Sequence, residues 1–466
     1  MIHQYRHNGL DIILDVNSAA VHLVDEVTAG VVQLLTEEKE TYGPGELLEQ
    51  ERVGRIASQM GGQADAGEIR DILEELDELI RQGRLFSDDP YEALVPKVMA
   101  NKTVVKALCL NVAHDCNLAC RYCFASEGEY HGKRGIMSAE VGKKALDFLV
   151  KASGARRNLE VDFFGGEPLM AFGAIQQIVA YGRELEKKHD KVFRFTMTTN
   201  GVLLSPEVEE ICDREISNVV LSLDGRKEVN DAMRPFPDGS GSYDLITPKL
   251  VSMAKSRKGK QYYIRGTFTH QNLDFVEDVL HFYDLGFRSV SMEPVVTDDE
   301  RYAITEEDIP VIKVQYDRLV REMLARKKEG DPFTFFHFTI DLEGGPCVYK
   351  RMSGCGAGTE YLAVTPWGDL YPCHQFVGEE DFKMGDVEQG VTRPEIGDQF
   401  RSVNLYTKPS CRECFAKFYC GGGCAANAWN SSGKLDGDYE IGCELERKRV
   451  ECAIALKAFG SEETSK

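Results

Sequence analysis

The stretch HDCNLACRYCFAS, His114 to Ser126, carries Cys116, Cys120 and Cys123 in the spacing C-x3-C-x2-C. Three thiolates on one short loop suit a soft metal centre, but tetrahedral zinc sites and most cubane iron–sulfur clusters take four ligands. Either a fourth ligand comes from elsewhere, or one metal position is kept open for chemistry. The loop follows the apolar run VKALCLNV (105–112). From residue 104 to about 330, strand-like and helix-like stretches alternate roughly every 30 residues. Further strands are expected at LEVDFF (159–164), VFRFTMT (192–198), NVVLSL (218–223), QYYIRGTF (261–268) and RSVSME (288–293). Helical stretches such as SAEVGKKALDFLVKAS (138–153) and FVEDVLHFYDLG (275–286) lie between them. Six such units predict an α/β fold with a parallel sheet and right-handed crossovers, a partial (β/α)6 barrel. Functional groups in such folds gather at the C-terminal ends of strands. The motifs fall there: the cysteine loop after the first strand, GGEP (165–168) after the second, TTNG (198–201) after the third and SLDG (222–225) after the fourth.

A chain of 466 residues is long enough for two or three domains. No run of about 18 apolar residues suggests a membrane span, and MIHQYRHNGLDIIL has no signal-peptide core. A cytoplasmic, reducing location is expected, and 14 cysteines there argue for metal rather than disulfides. The net charge of -21 argues against a nucleic-acid partner.

Residues 1–90 read as a small module. IHQYR, LDIILDV and AVHLV are short strands with turns at Asn8-Gly9 and Asn17-Ser18. Three helical segments follow, the clearest marked by Ile69, Ile72, Leu73, Leu76, Leu79 and Ile80, with Gly83 as its C-cap. The order resembles a winged helix-turn-helix. A DNA-binding role fails on charge, because the segment holds 7 Arg and Lys against 19 Asp and Glu. It is either a stabilising cap or a module that pairs an extended peptide against its sheet edge. Residues 91–103 read as a linker. Beyond about 331, long helices are not expected, and nine cysteines fall between Cys347 and Cys452. The last residues, 451–466, read as a helix end and tail.

The three cysteines after a first barrel strand, with Tyr122 before the last of them and GGEP after the second strand, resemble the radical S-adenosylmethionine (SAM) superfamily. The competing reading of the loop alone is a zinc knuckle. The resemblance implies that Cys116, Cys120 and Cys123 bind three irons of a [4Fe-4S] cluster, leaving the fourth iron to the amino and carboxylate groups of SAM. The missing ligand would then be the cofactor. Electron transfer into SAM would yield methionine and a 5′-deoxyadenosyl radical. SAM contacts are implied for Tyr122 near adenine, for Gly165 and Gly166 through close backbone approach, and for Glu167 toward the ammonium. Asn200 and Ser222 would face ribose and carboxylate, though both are also ordinary turn residues. Asp224, Asp231 and Arg234 match a stretch common in radical SAM enzymes that act on peptides, and Glu293 is a further polar residue at a barrel end.

The C-terminal third, 331–450, resembles a SPASM domain. CGAGTEYLAVTPWGDLYPC runs from Cys355 to Cys373, CRECFAKFYCGGGC supplies Cys411, Cys414, Cys420 and Cys424, and Cys443 closes the set. The resemblance implies two auxiliary [4Fe-4S] clusters, three in all. Cys355, Cys373 and Cys424 would hold the first, and Cys411, Cys414, Cys420 and Cys443 the second. Cys347 is either a fourth ligand of the first auxiliary cluster or free, leaving one iron open. Cys109, Cys212 and Cys452 read as structural thiols.

The chain as a whole resembles maturases of SCIFF peptides, the six-cysteines-in-forty-five group of the sactipeptide and ranthipeptide type. The resemblance makes residues 1–90 a RiPP recognition element, the binder of the precursor's leader. It implies thioether formation between a peptide cysteine sulfur and a carbon, a two-electron oxidation. The radical takes one hydrogen atom, the thiol loses a proton, and an auxiliary cluster accepts the remaining electron. No side-chain base is nominated. The implied partners are a cysteine-rich precursor peptide and a donor such as flavodoxin or ferredoxin, in the cytoplasm of an anaerobic bacterium. The competing readings are another radical SAM peptide oxidase, such as a formylglycine-forming sulfatase maturase, and a non-catalytic iron–sulfur adaptor or sensor.

Overall fold

The structure, a computed structural model, describes all residues except 40, 101–102, 131, 343–351, 353 and 463–466. Cys347 therefore lies outside the described residues.

The chain opens with strands β1 (Ile2–His7), β2 (Leu10–Asp15) and β3 (Ala20–Val24), an antiparallel sheet in that order. Helices α1 (Glu26–Glu38), α2 (Gln50–Gln59) and α3 (Ala66–Arg81) follow. Asp25 caps α1 by accepting from the Thr28 amide at 2.7 Å, and Asp65 caps α3 by accepting from the Gly67 and Glu68 amides. Gly83, at φ 66°, ends α3. The run Ile12-Ile13-Leu14 in β2 is buried on both faces. Ile13 packs with Val32, Leu35 and the α3 residues Ile69 and Leu73, whereas Ile12 and Leu14 meet Phe418, Val450 and Ile454 of the C-terminal third. A continuous apolar run is what two-sided burial requires. His3 and Tyr5 of β1 bond Glu451, and His7 pairs with Asp317 at 2.8 Å. β1 is therefore covered, and β3 forms the other edge of the sheet.

The second sheet contains β4 (Ala107–His114), β6 (Asn158–Gly165), β7 (Val192–Thr199), β8 (Asn218–Ser222), β9 (Gln261–Phe268), β10 (Ser289–Pro294) and β11 (Thr334–Phe335). These pair parallel in sequence order, and the short β5 (Gly135–Ile136) joins β4 antiparallel. The fold is α/β with a parallel sheet, consistent with a partial barrel. Alternation aims side chains. In β6, Leu159, Val161 and Phe163 are buried, while Asp162 and Phe164 stand on the opposite face. In β9, Ile264, Gly266 and Phe268 are buried, and Tyr263, Arg265 and Thr267 face the lumen.

Two segments differ from the sequence reading. The presumed linker contains a helix, Val95–Ala100, and Tyr91, Val95 and Val98 pack against the C-terminal third. Long helices do not vanish after 331 either, because Glu440–Glu462 runs unbroken across the boundary expected at 450/451 and packs on β1 and on helix Ile309–Lys328. The C-terminal third also enters the barrel sheet. β12 (Tyr361–Val364) pairs parallel with β4, and β13 (Asp369–Tyr371), β14 (Gly385–Asp386) and β15 (Gly390–Val391) extend that edge antiparallel. No helix among the described residues is long and apolar enough to cross a membrane.

Candidate functional site

The cysteine loop leaves the C-terminal end of β4 and is held from three directions. The Ala119 amide donates to the Pro235 carbonyl and the Arg121 amide to the Met233 carbonyl, both at 2.9 Å. The Tyr122 hydroxyl donates to Asp224 Oδ2 at 2.7 Å. Asn200 donates through Nδ2 to Asn117 Oδ1 at 2.8 Å and lies 3.7 Å from Cys116 Sγ. Asp224 is fully buried and takes, besides Tyr122, the Arg234 guanidinium at 2.9 Å and the Thr267 amide at 3.0 Å. Burial acts to lower the Arg234 pKa, but Asp224, Tyr122 and Cys120 together outweigh it and keep it raised. Asp231 accepts from the Tyr243 amide and so fastens the segment behind Arg234.

The glycines of GGEP serve a close backbone approach. A Cβ on Gly165 would lie 2.3 Å from the Ala113 carbonyl oxygen, and one on Gly166 would lie 2.1 Å from that of Asp115. These residues let the turn after β6 pack directly on the cysteine loop, with the Gly166 amide donating to Ala113 and the Glu167 amide to Asp115. Glu167 is fully buried. Its Oε1 accepts from the Leu169 amide and the Thr199 hydroxyl, and its Oε2 from the Asn200 amide. Burial nonetheless pushes its carboxyl up to about 7. The Ser222 hydroxyl, by contrast, has no partner among the described residues, and it closes the same rim from β8.

Burial pushes the Cys116 and Cys120 thiols up to about 12, with like-charged cysteine neighbours adding to it. The remaining ligand candidates fall into two groups. Cys373, two residues beyond β13, interacts electrostatically with Cys355 and Cys424. Cys420 interacts with Cys411 and Cys443, and those three share one cavity with Cys414. Burial pushes Cys373 and Cys420 up to about 12 and Cys443 up to about 11. Thiols so raised ionise on binding a cation, as metal-ligating thiols do. Groups of three, three and four thiols suit iron–sulfur clusters better than hard cations, although Glu440 and Glu446 also line the cavity of the four-thiol group. Tyr130, 3% exposed, lies within electrostatic reach of Cys109, Cys123, Cys116 and Cys373, so the barrel loop and Cys373 of the first C-terminal group approach the same buried ring. Cys109, Cys212 and Cys452 are buried, and Cys109 lies within electrostatic reach of Cys373 and Tyr130.

The barrel lumen is polar. His374 follows Cys373 and packs against Phe124 and Phe164, with ring centroids at 5.6 and 4.9 Å, and burial holds it down at about 4. Burial raises Asp162 to about 6. Glu293 pairs with His337 at 3.1 Å and Arg449 at 3.3 Å, and these partners outweigh its burial and keep it ionised. The sequence reading named Glu293 but not Asp162, Arg265, His337, His374 or Arg449. The available signal was a charged residue at a lumen-facing position of a strand, as in QYYIRGTF.

Residues 110–240 match the family model described as the Radical SAM superfamily. An uncharacterized protein of Methanocaldococcus jannaschii, MJ0907, is 30% identical over 190 residues, 41% of this chain and 62% of that protein, less than two thirds of its length. The mycofactocin maturase MftC of Mycolicibacterium smegmatis is 26% identical over 365 residues, covering 76% of this chain and 86% of MftC. Among solved structures, anSMEcpe with bound AdoMet superposes with TM-score 0.63 at 19% identity, covering 77% of this chain and 99% of that one. Streptococcus suis SuiB bound to S-adenosylmethionine superposes with TM-score 0.52 at 18% identity, covering 95% and 98%. These two likenesses establish the fold.

Proposed function

We propose that the protein is a radical SAM enzyme that installs thioether cross-links, cysteine sulfur to carbon, in a cysteine-rich precursor peptide of the SCIFF type. The observation that carries the reading is the approach of two cysteine groups to one buried ring: Cys116, Cys123 and Cys373 lie within electrostatic reach of Tyr130, and Cys373 within that of Cys355 and Cys424. Cys116, Cys120 and Cys123 would hold the SAM-binding cluster. Cys355, Cys373 and Cys424 would hold a first auxiliary cluster, and Cys411, Cys414, Cys420 and Cys443 a second. With SAM bound, the barrel cluster would supply the electron for reductive SAM cleavage, the source of the radical that takes a hydrogen atom from the peptide. The chain's own residues set the geometry. Asp224 fixes Tyr122 and Arg234, Asn200 ties the rim of β7 to the loop, and Gly165 and Gly166 allow the two rims to touch. Ser222 offers an unpaired hydroxyl to the bound cofactor. The half-buried rings of His374 and Phe164 and the exposed Phe124 would narrow the access of water to the lumen once substrate covers them.

Residues 1–90 would bind the leader. The free edge of β3 can add a strand, with α3 as the other wall. SuiB has been solved bound to precursor peptide SuiA, which supports a peptide substrate. A second reading is a peptide oxidase that acts on one cysteine without cross-linking. It is favoured by the likeness to anSMEcpe, solved with a Cp18Cys peptide. Mass spectrometry of a treated SCIFF precursor separates the two. Each thioether removes two hydrogens and protects one cysteine from alkylation, whereas oxidation of one cysteine leaves the other thiols free to react. Failure to form 5′-deoxyadenosine under reducing conditions would overturn both.

A further inference from the structure

Charges in the lumen are nearly all answered. Glu293 has His337 and Arg449, Arg449 also donates to the Tyr316 hydroxyl at 2.9 Å, and Asp162 accepts from Thr196. Arg265 differs. It lies in the middle of β9, flanked in register by Ser222 of β8 and Ser291 of β10, and its neighbours Ile264 and Gly266 are buried. Its guanidinium has no ion pair or hydrogen bond among the described residues, yet its charge reaches His374 and Glu293. The side chain thus extends into the lumen toward the loop that carries Cys373. On the same face, Tyr263 stacks on the exposed Phe336 at 5.6 Å and 18°, forming an aromatic wall beside it.

We propose that Arg265 is a positioning residue that grips carbonyl or carboxylate oxygens of the substrate peptide inside the barrel, with Tyr263 and Phe336 flanking the held segment. A guanidinium presents five donors in a planar fork suited to two oxygens at once. Once a peptide displaces water from the lumen, an unpaired guanidinium would bear the full cost of desolvation unless the peptide supplied acceptors. Binding strength would then go into fixing the segment between the two cysteine groups. The inference rests on the peptide-modifying reading above.

The test uses the full chain reconstituted with iron, a synthetic SCIFF precursor and SAM, with Arg265→Gln and Arg265→Lys. Gln should raise the peptide KM roughly ten- to hundredfold, and Lys, which keeps the charge but loses the fork, by an intermediate factor. Iron content, SAM affinity and peptide-independent 5′-deoxyadenosine formation should stay at the wild-type level. A peptide KM within twofold of wild type in both variants would overturn the proposal. SAM affinity falling in parallel would assign the guanidinium to the SAM carboxylate instead. Loss of iron in both variants would make the residue structural. Wild-type protein that cleaves SAM but modifies no peptide would remove the function on which the inference stands, an outcome distinct from unchanged variants of an active enzyme.

Discussion

The barrel and the C-terminal third hold their cysteines by different means. In the barrel, the loop from Cys116 to Cys123 is tied to rigid strand ends by Asn200, Asp224 and the backbone at 233–235. In the C-terminal third, the elements that carry Cys411 and Cys420 are four-residue helices, Pro409–Arg412 and Lys417–Cys420. They are braced mainly by Lys408, which donates to the Gly437 carbonyl at 2.6 Å, and by Lys417 on Asp89 at 3.0 Å. One loop is shaped before any metal arrives. On the proposed reading, the other would gain much of its order from the clusters its thiols hold.

The largest expected effect would break this contrast. Chelating the iron should raise amide exchange across 405–443 by roughly two orders of magnitude while β4, β6 and β7 keep their protection. Equal deprotection of both regions, measured by mass spectrometry, would refute the difference. Next, replacing Cys116, Cys120 and Cys123 together by Ala should remove about one third of the iron and abolish SAM cleavage, leaving the other two groups loaded. Appreciable 5′-deoxyadenosine from this variant would sink the assignment.

The N-terminal module extends the comparison. Because β1 and β2 cover the helix Glu440–Glu462, deleting residues 1–90 would also uncover Val450 and Ile454. Proline at Val21 and, separately, at His22 is cleaner, since alternate amides of β3 point outward. The variant that loses an outward amide should lower kcat/KM for the precursor roughly tenfold without changing peptide-free SAM cleavage. Full activity in both variants would make the module a cap.

A smaller effect concerns Asp89. Asp89→Asn leaves the Lys417 ammonium, 4% exposed, without its carboxylate, and should cost about 3 kcal/mol. Urea titration of the C-terminal third measures it, and an unchanged midpoint would show that the Arg412 carbonyl, 3.4 Å from the ammonium, and the Tyr406 ring, 5.6 Å from it, suffice.

The smallest concerns Asp162, raised from 3.8 to about 6. Below pH 4 the carboxyl is protonated whether the chain is folded or not. Above pH 6 it is ionised in both states, and its burial opposes folding. Its contribution to stability is therefore lost as pH rises from about 4 to 6. Asp162→Asn should make the protein about 1–2 kcal/mol more stable at pH 7.5, with the gain fading below pH 6. A pH-independent difference between variant and wild type would exclude this cause.

What could be read from the sequence follows the same division. Barrel strands such as QYYIRGTF declare themselves because their faces meet unlike surroundings, helices on one side and a polar lumen on the other. The helix Glu440–Glu462 does not, because it touches β1, the helix Ile309–Lys328 and the cysteine cavity, and no single stripe is apolar. The segment 91–103 was hidden by its brevity: a one-and-a-half-turn helix owes its form to Phe418 and its neighbours rather than to its own sequence. Cysteine spacing marked candidate ligands without revealing the polar lumen between them. Arg265 was missed because a lone exposed charge in a strand reads as a solvated edge until the strand order places it between β8 and β10.

The pairing of β12 with β4 has a consequence in time. Their contact spans about 250 residues of chain, as the neighbouring Lys106–Glu360 pair shows. A ribosome adding roughly 5–20 residues per second completes β4 some 10–50 s before β12 exists. Through that interval the first barrel strand, buried along its whole length in the finished protein, waits with one edge unanswered. The yield of native protein should therefore depend on how fast the last third is translated, and on whatever shields that edge in the meantime.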